Sequence, residues 1–527
     1  MFIMKKTYLI VGLFALLAIT GCKKYLDINE NPSFPQLVKA ELLLAPIIFQ
    51  MANGYSQDLI IMNKFNQTIL GGSADDVSKI WERHGYRNQS DVGGVMWRMV
   101  YYNHGHNLQL LIDDAIANQK YEYAGIGYAV KAWGYQMLTD YHGPIIMDEA
   151  LRAQQLRFSY NDQDEVYAKV REWCDSALYY FDQQSPVDYI NSLNSEKGDN
   201  LYRGNIARWK KFVYGLKATQ FNHLVNKSEY QSRYADSVIR YVDLSFESNA
   251  DDARIKFKGD DNGNSNVFSS NYGVITSSYY NRAGKPIVRY LTGGLRGEGK
   301  DDTIASIDRR LAIMLNRTSL TDSTFKGGEP NVTNSTIPSV LGRTVNNVPE
   351  GKYIFRNNAE FPIMTYAQLQ LIKAEAQFIK GDKAGALVSY RQAIIGHMNF
   401  VNSYANIATG QDKAITTEEI TEYLNSDDVA QTADDLTLAD IMGQKYIVQW
   451  GWGGLEQWCD LRKYNYSPDI FRQYIQLSGS QLQYNAYCYR VRPRYNSEYV
   501  WNSDELAKWG GLEPEYVTKP TWFVLPN

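Results

Sequence analysis

Cysteine and histidine are scarce in this 527-residue chain, at four and six residues. Cys22 closes an apolar leader, so only Cys174, Cys459 and Cys488 remain for the body. Three thiols without CxxC spacing exclude a disulfide or zinc framework; at most one bridge could form, and buried free thiols are expected. The histidines contain no HExxH. His104 and His106 are the one close pair, and Met96, Val100, Leu108, Leu111 and Ile112 around them indicate structural or loop positions rather than ligands. An excess of one charge is also lacking: 54 Lys+Arg against 58 Asp+Glu leaves a net charge of −4. That balance argues against a broad nucleic-acid footprint. There is no GxSxG elbow and no activated cysteine. A glycosidase carboxylate pair cannot be read from sequence, because the two acids need meet only in space. The expectation is a protein without catalytic activity.

Beyond the leader no apolar run has spanning length. The leader itself is Lys5-Lys6, an apolar stretch over 7–20, and then Ile19-Thr20-Gly21-Cys22. The stretch is shorter than the roughly 20 residues a spanning helix needs. Small residues ending in Cys predict a lipobox: cleavage after 1–21, a lipid on Cys22, and firm anchoring by several acyl chains. Residues 22–36 are polar, with two prolines, and read as a tether. What the chain has in abundance is tyrosine, at 40 against 19 Phe and 11 Trp. Tyrosine pairs an apolar ring with a polar tip and suits wet surfaces as well as cores.

Helical periodicity dominates 37–527. Apolar residues recur at i, i+3, i+4 over 37–49, 96–116, 124–141, 165–181, 206–224, 230–246, 366–379, 383–397 and 436–450. Gly, Asn, Asp, Ser and Thr crowd 61–93, 247–362 and 478–503, which predicts long loops of the kind that carry function. The clearest helix pair spans 366–397. Gly381 supplies a left-handed stop and Asp382 caps the next helix, while small residues and Tyr390 allow close packing. This is the pattern of a tetratricopeptide-like hairpin without a clean 34-residue period. The fold expected is all-α, built from stacked helical hairpins with inserted loops.

Two motifs imitate known sites. Gly294 to Asp301 nearly spells a phosphate-binding loop, but Asp301 stands where Ser or Thr would bind Mg²⁺, and no βαβ pattern surrounds it. Asp260 to Asn264 resembles the start of an EF-hand, yet Ser265 and Asn271 occupy the positions of its Gly and Glu. A weak non-EF calcium site is the most it leaves, and no cofactor is expected. The aromatics separate by position. Trp97, Trp133 and Trp209 lie in periodic helices and are assigned to the core, and Trp450, Trp452 and Trp458 pack in their own segment. Trp81 and Tyr86 fall in one loop. Phe268, Tyr272, Tyr279, Tyr280 and Tyr290 fall in another, beside Asn271, Asn281 and Arg282. Exposed rings flanked by amides and Arg suit sugars, whose C–H faces stack on rings while hydroxyls bond to polar groups. The expected ligand set is Trp81, Tyr86, Asn271, Tyr272, Tyr279, Tyr280 and Arg282.

Several segments resemble the SusD/RagB family of Bacteroidetes outer-membrane lipoproteins. They are Lys24 to Pro32 after the lipobox, Ala132 to Ile145 with its Asp-x-x-Gly turn, and Ile206 to Leu216 around Trp-Lys-Lys-Phe. Pro362 to Ala376, Gln444 to Ile447, Glu456 to Arg462 and Arg492 to Glu498 complete the series in order. The resemblance implies four tetratricopeptide-like units with elaborated loops. It implies a glycan-binding lipoprotein on the outer membrane, facing the exterior, that serves as the lid of a SusC-like TonB-dependent transporter. Some relatives handle peptides, so a peptide-binding role is the alternative, with a surface glycosidase behind it. These matching segments bear the fold and bring no ligand residues with them.

Overall fold

The computed structural model describes residues 38–73, 76–152, 155–273, 280–318, 324–342, 344–345, 348–349, 351–407 and 412–527. The leader, Cys22, the tether and Tyr279 lie outside them. Residues Lys39–Asn527 form one compact unit. Its main helices are α1 (Ala40–Phe65), α2 (Asp76–Glu82), α3 (Val95–Arg98), α4 (Gly105–Ala117), α5 (Tyr121–His142), α6 (Gln163–Phe181), α7 (Ile206–His223) and α8 (Ala235–Asp243). The C-terminal half adds α9 (Tyr366–Lys380), α10 (Lys383–Tyr404), α11 (Leu438–Val448) and α12 (Gly454–Lys463). Consecutive helices pack as hairpins, α5 on α6, α7 on α8 and α9 on α10. The strands described are two to four residues long and pair only two by two. The all-α, tetratricopeptide-like expectation is met.

Local signals explain the element ends. Asp162 and Glu165 form a reciprocal capping box on α6, and Thr365 and Gln368 do so on α9. Gly381 ends α9 at φ 94°, and the Asp382 carboxylate accepts from the Gly385 N–H at 2.9 Å to open α10. The hairpin read from sequence is therefore present, with α10 running seven residues past its expected end. Helix α12, around Trp458, was not anticipated. The indoles of Trp133, Trp209, Trp450, Trp452 and Trp458 are fully buried, each contributing roughly 2–3 kcal/mol through its apolar area. Cys174, Cys459 and Cys488 are free and buried, as expected. Among the described residues no helix is long and apolar enough to cross a membrane.

The stretch 96–116 is not the single α-helix its periodicity suggests. A wide π-turn, Met99–His104, separates α3 from α4. The extra residue per turn rotates the flanking side chains. Tyr101 consequently points inward, its hydroxyl donating to the Ile146 carbonyl at 2.5 Å, while the next ring, Tyr102, is 72% exposed.

Candidate functional site

The π-turn forms one wall of a groove of about 650 Å³. This size lies within the range of small-molecule and oligosaccharide sites. Trp97, Arg98, Tyr101, Tyr102 and His106 line it from the α3–α4 side. The opposite wall is the loop after α5, with Ile146, Ala150, Leu151, Arg152 and Phe158, and the floor is Arg494, Ser497 and Glu498. Leu151 holds a left-handed φ of 65° there, a conformation that costs a non-glycine residue about 1 kcal/mol or more.

Each wall is fixed from behind. The Met96 N–H donates to Asp58 Oδ2 at 2.7 Å, which pins the start of α3 to α1. Burial lifts the Asp58 carboxyl to about 7, against the pull of the Met96 and Val95 amides. Gly94 permits the floor to approach: a Cβ there would lie 2.9 Å from the Arg494 Cα. The floor segment bonds to the end of α5 through Val491 N–H to the Tyr141 carbonyl, 3.0 Å, and through His142 Nδ1 and the Val491 carbonyl, 2.9 Å. Asp91 accepts from Arg494 Nη2 at 2.7 Å and from the Asn496 amide at 2.8 Å. At the base, Glu498 Oε2 accepts from Tyr160 Oη at 2.5 Å and Asn502 Nδ2 at 2.9 Å. Burial raises the Glu498 carboxyl despite those bonds and others from Ser497 and Trp97.

The rim is less occupied. Arg98 is exposed, its guanidinium 5.4 Å from the Tyr102 ring centroid. The guanidinium has no hydrogen bond or ion pair among the described residues. Trp501 is 71% exposed, next to the Asn502 that holds Phe158. The groove thus offers stacking surfaces, donors and a shielded carboxyl, groups that match the ring faces and hydroxyls of polyhydroxylated molecules.

The residues singled out in the sequence are placed differently. Trp81 and Tyr86 are 3% and 4% exposed, not exposed loop rings. They pack edge-on to each other, Trp81 also meets Phe65, and Arg492 covers the Tyr86 ring at 4.6 Å. They form a layer behind the groove floor. The two predicted loops do meet, because Ile69–Leu70 pairs antiparallel with Arg282–Ala283. Tyr280 lies over Lys64 Nζ at 5.2 Å and Arg282 Nη1 donates to Asn281 Oδ1 at 2.7 Å. Tyr272 instead bonds Asn53 Oδ1 at 2.5 Å, and the Asn271 N–H bonds Asn357. Asn53 and Lys64 are eleven residues apart on α1, roughly 16 Å along its axis, so the half-buried set is strung out rather than gathered. Sequence reasoning missed Arg98, Tyr101, Tyr102, Arg494 and Glu498. The last two fall within the late segment Arg492 to Glu498 already matched to a family loop, which was the available signal.

One buried cluster has metal-ligand residue types: Asp140, His223, Glu456 and Cys459, with ligand atoms within 4.8 Å of one another. His223 Nε2 is 2.9 Å from Glu456 Oε2, and Nδ1 is 3.1 Å from Tyr167 Oη and 3.5 Å from Asp140 Oδ2. Burial alone would lower the imidazole pKa, but Glu456, Tyr167 and Asp140 raise it well above its ordinary value. Glu456 and Asp140 flank the ring on its two nitrogens, an arrangement that suits an imidazolium. The Gly294–Asp301 stretch is likewise explained by Asp301 pairing with Arg289 at 2.5 Å and Lys285 at 3.3 Å.

Residues 32–483 match the SusD-like family described as starch-binding and associating with the outer membrane. Among solved structures, a SusD/RagB family protein from Bacteroides thetaiotaomicron is 18% identical, with a TM-score of 0.68 over 92% of this chain and 99% of that one. A SusD homolog from Bacteroides fragilis is 18% identical, with a TM-score of 0.66 over 93% and 100%. A chitin-binding protein is 17% identical, with a TM-score of 0.67 over 92% and 99%. No curated protein matches the chain.

Proposed function

We propose that this chain, which belongs to the SusD-like family of starch-binding, outer-membrane-associated proteins, captures oligosaccharides or polysaccharides in the Trp97–Tyr102 groove and passes them to a SusC-like TonB-dependent transporter. A lipid on Cys22 would tether it, facing the exterior, and it would release its ligand unaltered. The observation that carries this reading is the groove of about 650 Å³ whose rim holds the exposed Tyr102 ring under the Arg98 guanidinium, which has no ion-pair partner among the described residues. A pyranose stacks its C–H face on such a ring, and its hydroxyls bond the flanking donors and acceptors. Tyr280 and Arg282, with Asn271, Tyr272 and Tyr279 on the same loop, would add secondary contacts to a long chain. Trp81 and Tyr86 would act only by supporting the floor.

Titration calorimetry against a panel of starch, chitin and plant-wall oligosaccharides tests this. Binding without release of reducing ends is expected, with Tyr102→Ala weakening it by about 1–3 kcal/mol, the scale of a stacking ring. A folded protein that binds no glycan in the panel but retains peptides would overturn it in favour of peptide capture.

A further inference from the structure

The charged groups around the groove are unequal in sign. Three guanidiniums line it, Arg98, Arg152 and Arg494, against one carboxyl, Glu498. That carboxyl is 4% exposed, and the bonds from Tyr160 and Asn502 turn its Oε2 toward the protein. Burial also favours its neutral form. The lining is therefore richer in guanidiniums than in carboxyls, and its one carboxyl is turned away from the groove's solvent.

The arginines are not equally engaged. Arg494 is paired with Asp91 at 2.7 Å. Arg152 donates to the Asp148 carbonyl at 3.1 Å and keeps a longer 3.5 Å contact with Glu149. The Ser159 N–H, 2.7 Å, and Gln155 Nε2, 2.8 Å, both bond Glu149 Oε2, and Arg152 faces the other oxygen, Oε1. Arg98 has no carboxylate partner among the described residues, and its guanidinium lies over one face of the Tyr102 ring, 5.4 Å from the centroid. A guanidinium presents parallel N–H donors that match the two oxygens of a carboxylate or sulfate. That of Arg98 covers only one face of the 72% exposed Tyr102 ring, so a sugar stacked on the open face can turn an edge substituent toward it.

From this we infer that the groove selects acidic glycans, whose sugars carry a carboxylate or sulfate that Arg98 binds while the ring stacks on Tyr102. The inference rests on the glycan-binding reading above and narrows its substrate class. A neutral glucan would offer the guanidinium only uncharged hydroxyls, whereas an anionic sugar offers it a counter-charge as well.

The test compares galacturonate oligosaccharides with the same chains after carboxyl reduction, and a sulfated galactan oligosaccharide with its desulfated form. Each is titrated into wild-type protein and Arg98→Gln at neutral pH. Either acidic ligand should bind at least about 10-fold tighter than its neutral counterpart, the scale of a charge-assisted hydrogen bond. Arg98→Gln should remove that margin, weakening the acidic ligand far more than the neutral one, while Arg98→Lys, which keeps the charge but not the fork, should fall between. Preference for the galacturonate alone assigns the oxyanion to a carboxylate, and for the sulfated galactan alone to a sulfate. Equal affinity for both acidic and neutral pairs overturns the inference, as does an Arg98→Gln loss of the same size on all ligands. Those results leave the glycan-binding reading standing provided Tyr102→Ala still weakens binding. Loss of the Tyr102 effect removes the reading itself.

Discussion

Two polar centres in this molecule treat their charges in opposite ways. Inside the stacked helices, Glu375 of α9 is fully buried and completely engaged. Lys445 and Lys463 each reach it at 2.9 Å, Asn222 at 2.8 Å and Tyr464 at 2.6 Å, and Asp460 joins the two lysines. At the groove, Arg98 and Tyr102 face solvent, and the guanidinium has no ion-pair partner among the described residues. A charge in the first place locks helices together, because removing one partner strands the others in a low dielectric. A charge in the second place holds no element in position and is free for a ligand. The difference separates residues that make the fold from residues that use it.

Breaking the first centre should have the largest effect. Glu375→Ala leaves two buried lysines short of a counter-charge and should cost about 3–5 kcal/mol of unfolding free energy, read by urea denaturation. The same network sets acid sensitivity. Burial opposes ionisation of Glu375, but Lys445 and Lys463 hold its carboxyl well below the usual range. A depressed carboxyl stabilises the fold at pH above its unfolded pKa, and that contribution is lost as pH falls toward the folded value. Denaturation midpoints should therefore decline on acidification below about 4.5, and less steeply in Glu375→Gln.

Variants around the groove should act in the reverse sense, on binding more than on stability. Gly94→Ala puts a methyl group against the Arg494 backbone. It should cost about 1–3 kcal/mol through overpacking and weaken glycan affinity by moving the floor, which paired thermal melts and titrations would separate. Tyr102→Ala should leave the unfolding free energy within about 0.5 kcal/mol while lowering affinity as given above. Tyr280→Ala should have the smallest effect, less than about 1 kcal/mol on affinity. A larger effect there than at Tyr102 would move the principal site to the Ile69–Leu70 and Arg282–Ala283 loops.

The helical body was legible in the sequence because its signals are local. Gly381 and Asp382 mark a hairpin within two residues, and the apolar spacing of 124–141 lies wholly within α5. The groove was not legible, for two physical reasons. The π-turn over Met99–His104 sets Tyr101 inward and Tyr102 outward, and apolar periodicity does not register such a turn. Burial of Trp81 and Tyr86 depends on Phe65 and on Arg492, the latter some 400 positions away in the chain, so loop composition alone made them look exposed. The carboxyl at the groove base was hidden for the same reason, since Tyr160 and Glu498 meet only after α5 and the late segment dock.

The most direct measurement is a structure of the protein with a bound oligosaccharide. The account predicts a sugar ring lying on the Tyr102 face, with an oxygen substituent within hydrogen-bond distance of Arg98. A ligand seated elsewhere, with the Trp97–Tyr102 groove holding only solvent, would contradict it.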